Sequence, residues 1–195
     1  GYTTKGYLMP KYYENVFGWF DFDDIYREAV QNYDNAVFCE IGSFQGRSAC
    51  YMGELIKESG KNLKLVCVDL WPTHKELNDK AALGVGQGQE AEIIRALPQS
   101  LLETFCNNID SAGCRDVVIP IRHNSSEVAA LFPDEYFSFI FVDAGHSYDQ
   151  VMADLKNWYP KLKTGGIMAG HDYDAQSVAD AVKDFFGEDQ KRLRS

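Results

Sequence analysis

The sequence predicts an α/β protein built on a doubly wound, mainly parallel sheet. Three observations predict it: short continuous apolar runs, amphipathic stretches between them, and polar or acidic residues that close each run. A continuous run such as A-V-F-C-E-I-G, residues 36–42, suits a strand buried on both faces of a parallel sheet. Alternation of such runs with helical stretches is the pattern of strand–helix–strand units.

An aromatic-rich opening (Tyr2, Tyr7, Tyr12, Tyr13, Phe17, Trp19, Phe20) leads into a helix over 23–32. Its rings suit either a wall over a ligand pocket or a hydrophobic staple for that helix. The first strand spans 36–42, and a helix follows at 46–59. K-L-V-C-V-D-L, 64–70, is the second strand. V-V-I-P-I-R, 117–122, is the third, and Pro120, which has no N–H to donate, places it at a sheet edge. F-S-F-I-F-V-D, 137–143, and G-I-M-A-G-H-D, 166–172, are the fourth and fifth. Helices over 126–132, 148–159 and 176–186 complete the alternation. Within 148–159, Tyr148, Trp158 and Tyr159 fall at core spacing, while Asp149 and Asp154 read as a solvated face. Residues 72–112 form an insertion, in which L-G-V-G-Q-G-Q is followed by the amphipathic E-A-E-I-I-R-A-L-P-Q-S-L-L-E-T-F. Its L-G-V-G-Q-G-Q tract reads either as a lid beside the ligand edge or as a passive loop. No Lys-Ser/Thr follows it, so it is not a phosphate cradle. The whole reads as one domain over 1–195: an N-terminal segment, 1–35, and a core, 36–186.

With 195 residues and 45% hydrophobic content, the chain is long enough for one domain with a proper core. No run of about 18 apolar residues predicts a membrane span. The opening residues lack the apolar stretch of a signal peptide, so a cytoplasmic location is expected. A net charge of −10 argues against nonspecific binding to nucleic acid or anionic membrane. Five cysteines without a C-x-x-C pair read as reduced core thiols.

In an open parallel sheet, ligands bind beyond the carboxyl ends of the strands. Asp143 ends the fourth strand, His146 follows three residues later, and His171-Asp172 ends the fifth. Two carboxylates and two imidazoles near one point suit a divalent metal, proton transfer, or both. Plainer roles stand beside these: Asp143 also suits a helix cap, His146 a cap or a packing partner of Tyr148, and His171 a bond to backbone. Glu40 closes the first strand, where Gly42 permits a sharp exit and Gly46 a close backbone approach to a ligand. Asp69 closes the second strand, where a carboxylate accepts from vicinal ribose hydroxyls. His74 and His123 have no partner in the sequence and read as structural.

Five segments together carry a resemblance: E-I-G-S-F-Q-G-R-S (40–48), V-D-L-W (68–71), H-N-S-S-E (123–127), V-D-A-G-H-S-Y (142–148) and K-L-K-T-G-G-I-M-A-G-H-D (161–172). In this order they resemble class I S-adenosylmethionine-dependent methyltransferases over roughly 36–186. The branch with D-x-x-H-S-Y and G-H-D-Y is similar to metal-dependent small-molecule and sugar O-methyltransferases, and more distantly to catechol O-methyltransferase. The resemblance implies a Rossmann-like class I fold, an S-adenosylmethionine cofactor, a small-molecule hydroxyl acceptor and a divalent metal, Mg or Mn. It places Glu40, Gly42, Ser43 and Gly46 around the methionine part and ribose, with Asp69 on the ribose hydroxyls. It places Leu70 and Trp71 beside the adenine, and Asn124 and Ser125 at its edge. Asp143 would lie near sulfonium and metal, His171 and Asp172 would complete the metal site, and His146 would be the base.

The chain departs from the family in two ways. His171-Asp172 stands where metal-dependent relatives carry two acidic or amide groups. His ligation shifts preference toward Mn, Fe, Co, Ni or Zn, or else His171 supports the site without binding metal. The family's final hairpin, strands six and seven, has no counterpart before Ser195. That predicts a shortened chain, or a fifth strand covered in a homodimer. Competing readings are a hydroxylase-like relative of the same fold, with iron, and a cofactor-binding remnant without catalysis.

Overall fold

The apolar runs form β1 (Asn35–Ile41), β2 (Asn62–Asp69), β3 (Val118–Arg122), β4 (Phe137–Val142) and β5 (Leu162–Gly170). In this computed structural model, which describes residues 11–83, 86–143, 145–172 and 175–187, they make one parallel sheet of order β3-β2-β1-β4-β5. The doubly wound fold is thus the one observed. Central β1 sets Phe38 against Leu65 on one side and Phe139 on the other. β3 lies at an edge, with Pro120 opposite Cys67, as the missing N–H requires. β5 is the other edge. It starts earlier than its apolar run because K-T-G-G is drawn into the ladder through a register shift between Phe137 and Phe139.

The helices are α1 (Asp23–Asn32), α2 (Arg47–Ser59), α3 (His74–Ala82), α4 (Gln89–Ala96), α5 (Leu101–Ser111), α6 (Ser125–Ala129), α7 (Tyr148–Trp158) and α8 (Gln176–Phe186). Alternate strand residues face opposite layers. Phe38, Leu65, Cys67, Phe139 and Phe141 meet α1, α2 and α5 through Tyr26, Tyr51, Phe105 and Ile109. Cys39, Ile41, Val66, Val68 and Ile140 meet α6 and α7 through Val128 and Trp158. Each fully buried large side chain contributes about 1.5–3 kcal/mol. Among the described residues no helix is long and apolar enough to cross a membrane. All five cysteines are free, four of them buried; burial pushes the Cys114 thiol up to about 12.

The amphipathic part of the insertion is helical, and capping boxes at Thr73 and Ser100 start α3 and α5. Arg95 ties the insertion together by donating to Leu77 O and Gly86 O at 3.3 and 2.8 Å. Other expectations need adjustment. Trp158 is core, but Tyr148 and Tyr159 are 37% and 46% exposed, since the Tyr148 hydroxyl reaches out to Asp184 and Tyr159 packs on Phe185 and Phe186. Asp149 is exposed; Asp154 is not a solvated residue, being 7% exposed. Tyr2, Tyr7, residues 84–85 of the glycine-rich tract and the tail 188–195 lie outside the described residues.

One buried polar pair links the N-terminal segment to the sheet. The fully buried Tyr26 hydroxyl donates to Glu40 Oε2, and Ser48 Oγ donates to the same oxygen at 2.7 Å. Removing a partner from a buried carboxylate is costlier than an average hydrogen bond. Tyr26→Phe is expected to lower stability by about 2 kcal/mol in urea unfolding, with the m-value unchanged.

Candidate active site

The winding reverses between β1 and β4, and a crevice opens there at the carboxyl ends of the strands. It is a cavity of about 830 Å³. The backbone closes it from below: Gly42 N–H donates to Val68 O and Asp143 N–H to Ile41 O, both at 2.8 Å. Gly42 leaves β1 with φ +87°, the sharp exit its position called for. Phe44, Trp71 and Asp172, all on strand-end loops around this edge, hold positive φ without being glycine. Such residues cost about 1–3 kcal/mol each and cluster where the fold must aim side chains.

The acidic and imidazole groups do converge. His146 Nε2 lies 3.0 Å from Asp172 Oδ2, and His171 Nδ1 lies 3.1 Å from Asp172 Oδ1 and 3.8 Å from Asp143 Oδ1. Asp143, His146 and Asp172 each offer a donor atom within 4.8 Å of the others'. Of the expected ligand set of Asp143, His171 and Asp172, the two carboxylates fall in this grouping, and His146 stands in it where His171 does not. His171 turns Nε2 to Asp21 at 3.0 Å and packs beside Phe22, so the N-terminal segment holds it as a support. Desolvation pushes the Asp143 carboxyl up to about 7, with His171 opposing and Asp172 and Glu40 adding to the rise. Burial works against protonation of His171, but Asp143, Asp172 and Asp21 outweigh it and raise its pKa.

Of the other expected site residues, Gly42, Ser43, Asp69, Leu70, Asn124 and Ser125 line the same cavity, while Glu40, Gly46 and Trp71 do not. Glu40 lies behind the wall, 1% exposed, with Oε1 lacking a partner; burial raises its pKa, and the Tyr26 bond offsets part of the rise. Gly46 caps α2 at φ +92°, and an added Cβ would meet the Phe105 ring at 2.8 Å. Its close approach is thus to a core ring and not to the cavity. Trp71 is buried beneath the loop, giving its indole N–H to Phe44 O at 2.8 Å. Asp69 organises the loops: it accepts from the N–H groups of Ser43, Phe44 and Trp71 at 2.9, 2.9 and 2.8 Å. Asn124 caps α6 through its side chain. His123, read as structural, lines the cavity beside Glu127, 2.9 Å away.

Sequence reasoning missed several lining residues, among them polar side chains from α4 and α7. Gln150, Asp154 and Asn157 come from one face of α7, and their i, i+4, i+7 spacing was the available signal. Glu90, in the first turn of α4, overlies the cavity from the insertion; nothing in its sequence context marked it. Phe17 and Trp19, 51% and 56% exposed, form an aromatic rim with Phe44, which Trp19 stacks upon at 6.1 Å.

Comparison with known proteins bears on the family and the fold. A family model described as a methyltransferase domain matches residues 39–173. No curated protein matches by sequence. Among solved structures, the chain is similar to the calicheamicin methyltransferase CalS11, with 20% identity, TM-score 0.65, and coverage of 89% of this chain and 72% of that one. It is also similar to the O-methyltransferase NovP, with 18% identity, TM-score 0.63, and coverage of 84% and 69%. Precorrin 8w decarboxylase from Methanobacterium thermoautotrophicum shares the fold too, with 15% identity, TM-score 0.56, and coverage of 92% and 81%. Likeness at this level concerns the fold, which hosts more than one chemistry. The family model, running from the end of β1 through β5 and over the loops that carry Asp69, Asp143 and Asp172, identifies the chain as a member of the methyltransferase domain family.

Proposed function

We propose that this protein is an S-adenosylmethionine-dependent methyltransferase acting on a hydroxyl of a small molecule with the help of a divalent metal. The observation that carries the reading is the meeting, in one crevice, of the Gly42–Ser43 turn, the Asp69 loop and the Asp143–His146–Asp172 cluster. Membership of the methyltransferase domain family supports the cofactor, and CalS11, a TDP-rhamnose 3'-O-methyltransferase, exemplifies an oxygen acceptor on the same fold.

The residues fit these groups. About 830 Å³ lies within the usual range for small-molecule sites. Ser43 lines the turn at the cavity, and its buried hydroxyl lies against the Glu40 carboxylate, whose charged form it favours. Asp69 has three accepted bonds and room for another. The cluster sets Asp143, Asp172 and Asp21 around His171, an excess of negative charge that a cation relieves. Its mixed oxygen and nitrogen donors suit Mn at least as well as Mg.

When bound, S-adenosylmethionine supplies an electrophilic methyl group and the metal supplies a Lewis acid. The protein's part is alignment and proton handling. Ser43, Asp69, Leu70 and Ser125 hold the cofactor, with Glu40 setting the turn from behind. Asp143 and Asp172 hold the cation. Asp172 fixes the ring of His146, which is 68% exposed at the mouth and takes the acceptor's proton as a general base. An apolar cavity of about 160 Å³ adjoins through Asp143, Gly145, His146 and His171, walled by Val151, Leu155, Met168 and Val178. It receives the apolar part of the acceptor.

A second reading makes His146 a third metal ligand, favoured by the 4.8 Å grouping. Transfer of labelled methyl to a panel of catechols, phenols and sugar nucleotides, with added Mn or Mg, tests the proposal. His146→Ala is expected to lose about 100-fold or more in rate. If His146 is a base, the acid limb of the wild-type pH–rate profile disappears in this variant while metal affinity stays. If it is a ligand, metal affinity falls. Unchanged rates in both His146→Ala and Asp143→Asn contradict the proposal.

A further inference from the structure

Two large apolar rings stand open at the mouth of the crevice, and packing of the core does not account for them. Phe17 and Trp19 line the cavity while half exposed. Trp19 meets Phe17 edge to face at 5.6 Å and stacks on Phe44 at 6.1 Å. Rings left in water forgo the gain of burial, and a cluster of them beside a pocket marks a contact surface.

The segment that carries the rings is fastened on both sides. Glu54 accepts from the N–H groups of Lys11, Tyr12 and Tyr13 at 2.7, 3.2 and 3.0 Å. Arg47 donates to Val16 O at 2.7 Å. Beyond the rings, Asp21 meets His171 at 3.0 Å, and His171 stands 3.1 Å from Asp172. Two residues of chain span at most about 7 Å, so the backbone at Trp19 is held close to the cation cluster.

The charge around the rings is one-sided. Asp69, Glu90, Asp143, Asp154 and Asp172 line the crevice, and among the described residues no lysine does. The lining arginine, Arg47, is engaged with the Val16 carbonyl and the Tyr13 ring. Each lining histidine already faces an acid. A phosphate brought to the rim therefore meets repulsion without a fixed partner.

We propose that Trp19, with Phe17 beside it, is the stacking platform for the acceptor, and that the acceptor is an uncharged ring compound, phenolic or glycosidic, and not a phosphorylated one such as a nucleoside diphosphate sugar. The inference rests on the methyltransferase reading above. A phenol and the apolar face of a sugar both stack on an indole, whereas the acids select against added negative charge.

Of the three tryptophans, Trp71 and Trp158 are buried, so acrylamide quenching of fluorescence reads Trp19 and needs no turnover. Matched pairs are titrated with S-adenosylhomocysteine and Mn present: dihydroxybenzyl alcohol against its phosphate ester, and a methyl hexoside against a nucleoside diphosphate hexose. The neutral member of at least one pair is expected to shield Trp19 and to bind about 10-fold or more tightly than its phosphorylated counterpart; which pair responds tells phenol from sugar. Trp19→Ala is expected to raise the KM of that acceptor about 10-fold, more than it lowers kcat, because a platform holds ground state and transition state alike. Trp19→Phe restores most of the loss, and S-adenosylhomocysteine affinity stays unchanged in both variants. A phosphorylated member that binds as well as its neutral partner, absence of shielding by either neutral ring, or an unchanged KM in Trp19→Ala overturns the inference. Equal weakening of S-adenosylhomocysteine and acceptor in Trp19→Ala assigns the ring to the cofactor and overturns it too. Neutral rings that shield Trp19 in a protein that binds no S-adenosylhomocysteine contradict the function proposed above and leave the platform standing.

Discussion

Asp143→Asn is expected to abolish activity while making the ligand-free protein more stable at pH 8. The carboxyl stands at about 7 because burial disfavours its charged form. Between about pH 4 and 7 the unfolded chain has released this proton and the folded chain keeps it, so stability falls as pH rises through that window. His171 acts in the same direction: its raised folded value gives stability present below 6.5 and lost as pH rises through that raised value. At pH 8 the folded protein therefore carries Asp143 ionised at a cost. Asparagine keeps the shape and removes that cost. A gain of about 2 kcal/mol at pH 8 is expected, after allowing for the lost attraction to His171, shrinking toward zero near pH 4.5. Urea unfolding at both pH values reads it. A variant less stable than wild type at pH 8 contradicts the assignment of strain to this carboxylate. Activity is expected to fall by about 10³-fold, the trade of stability against function that active sites show.

Gly46→Ala is expected to be the most damaging single methyl in the site's scaffold. At φ +92° an L side chain is strained, and the new Cβ stands 2.8 and 3.0 Å from two Phe105 ring carbons. Left-handed strain of about 1–2 kcal/mol adds to overpacking of about 1–3 kcal/mol, so a loss near 4 kcal/mol is expected in chemical denaturation. The site suffers as well, because Gly46 sets the start of α2 and its N–H holds Ser43 O at 2.9 Å. A truncated Phe105, as in Phe105→Leu, should relieve part of the loss in the double variant. Strict additivity of the two changes rules out the clash.

The strands were the most legible part of the sequence. Val37 to Cys39 and Leu65 to Val68 are apolar without a break because both faces of the sheet are covered, and the acids at the ends of the runs mark the ligand edge. Asp143 and Asp172 were readable for that reason, since their place depends only on where strands stop. Side-chain direction was less legible. His171 turns Nε2 to Asp21, a partner far away in the chain that no local pattern announces, so its ring stands as a support beside the carboxylates. Gly46 was read as a gap for a ligand, although the ring it accommodates comes from α5, 59 residues on. Asp154 was misread because α6 covers the face of α7 that it occupies; a helical period alone does not say which neighbour will cover it. The insertion's glycines suggested an irregular loop, while its Thr73 and Ser100 capping boxes, each with Glu three residues on, already spelled two helix starts.

The central claim is that this crevice holds S-adenosylmethionine beside a cation site. Its most direct test is calorimetric titration of S-adenosylmethionine into metal-free protein, repeated with Mn. The account predicts saturable binding at one site per chain, tightened by Mn in wild type but not in Asp143→Asn. A folded protein that gives no binding heat at any metal concentration, and no thermal stabilisation by the ligand, contradicts it.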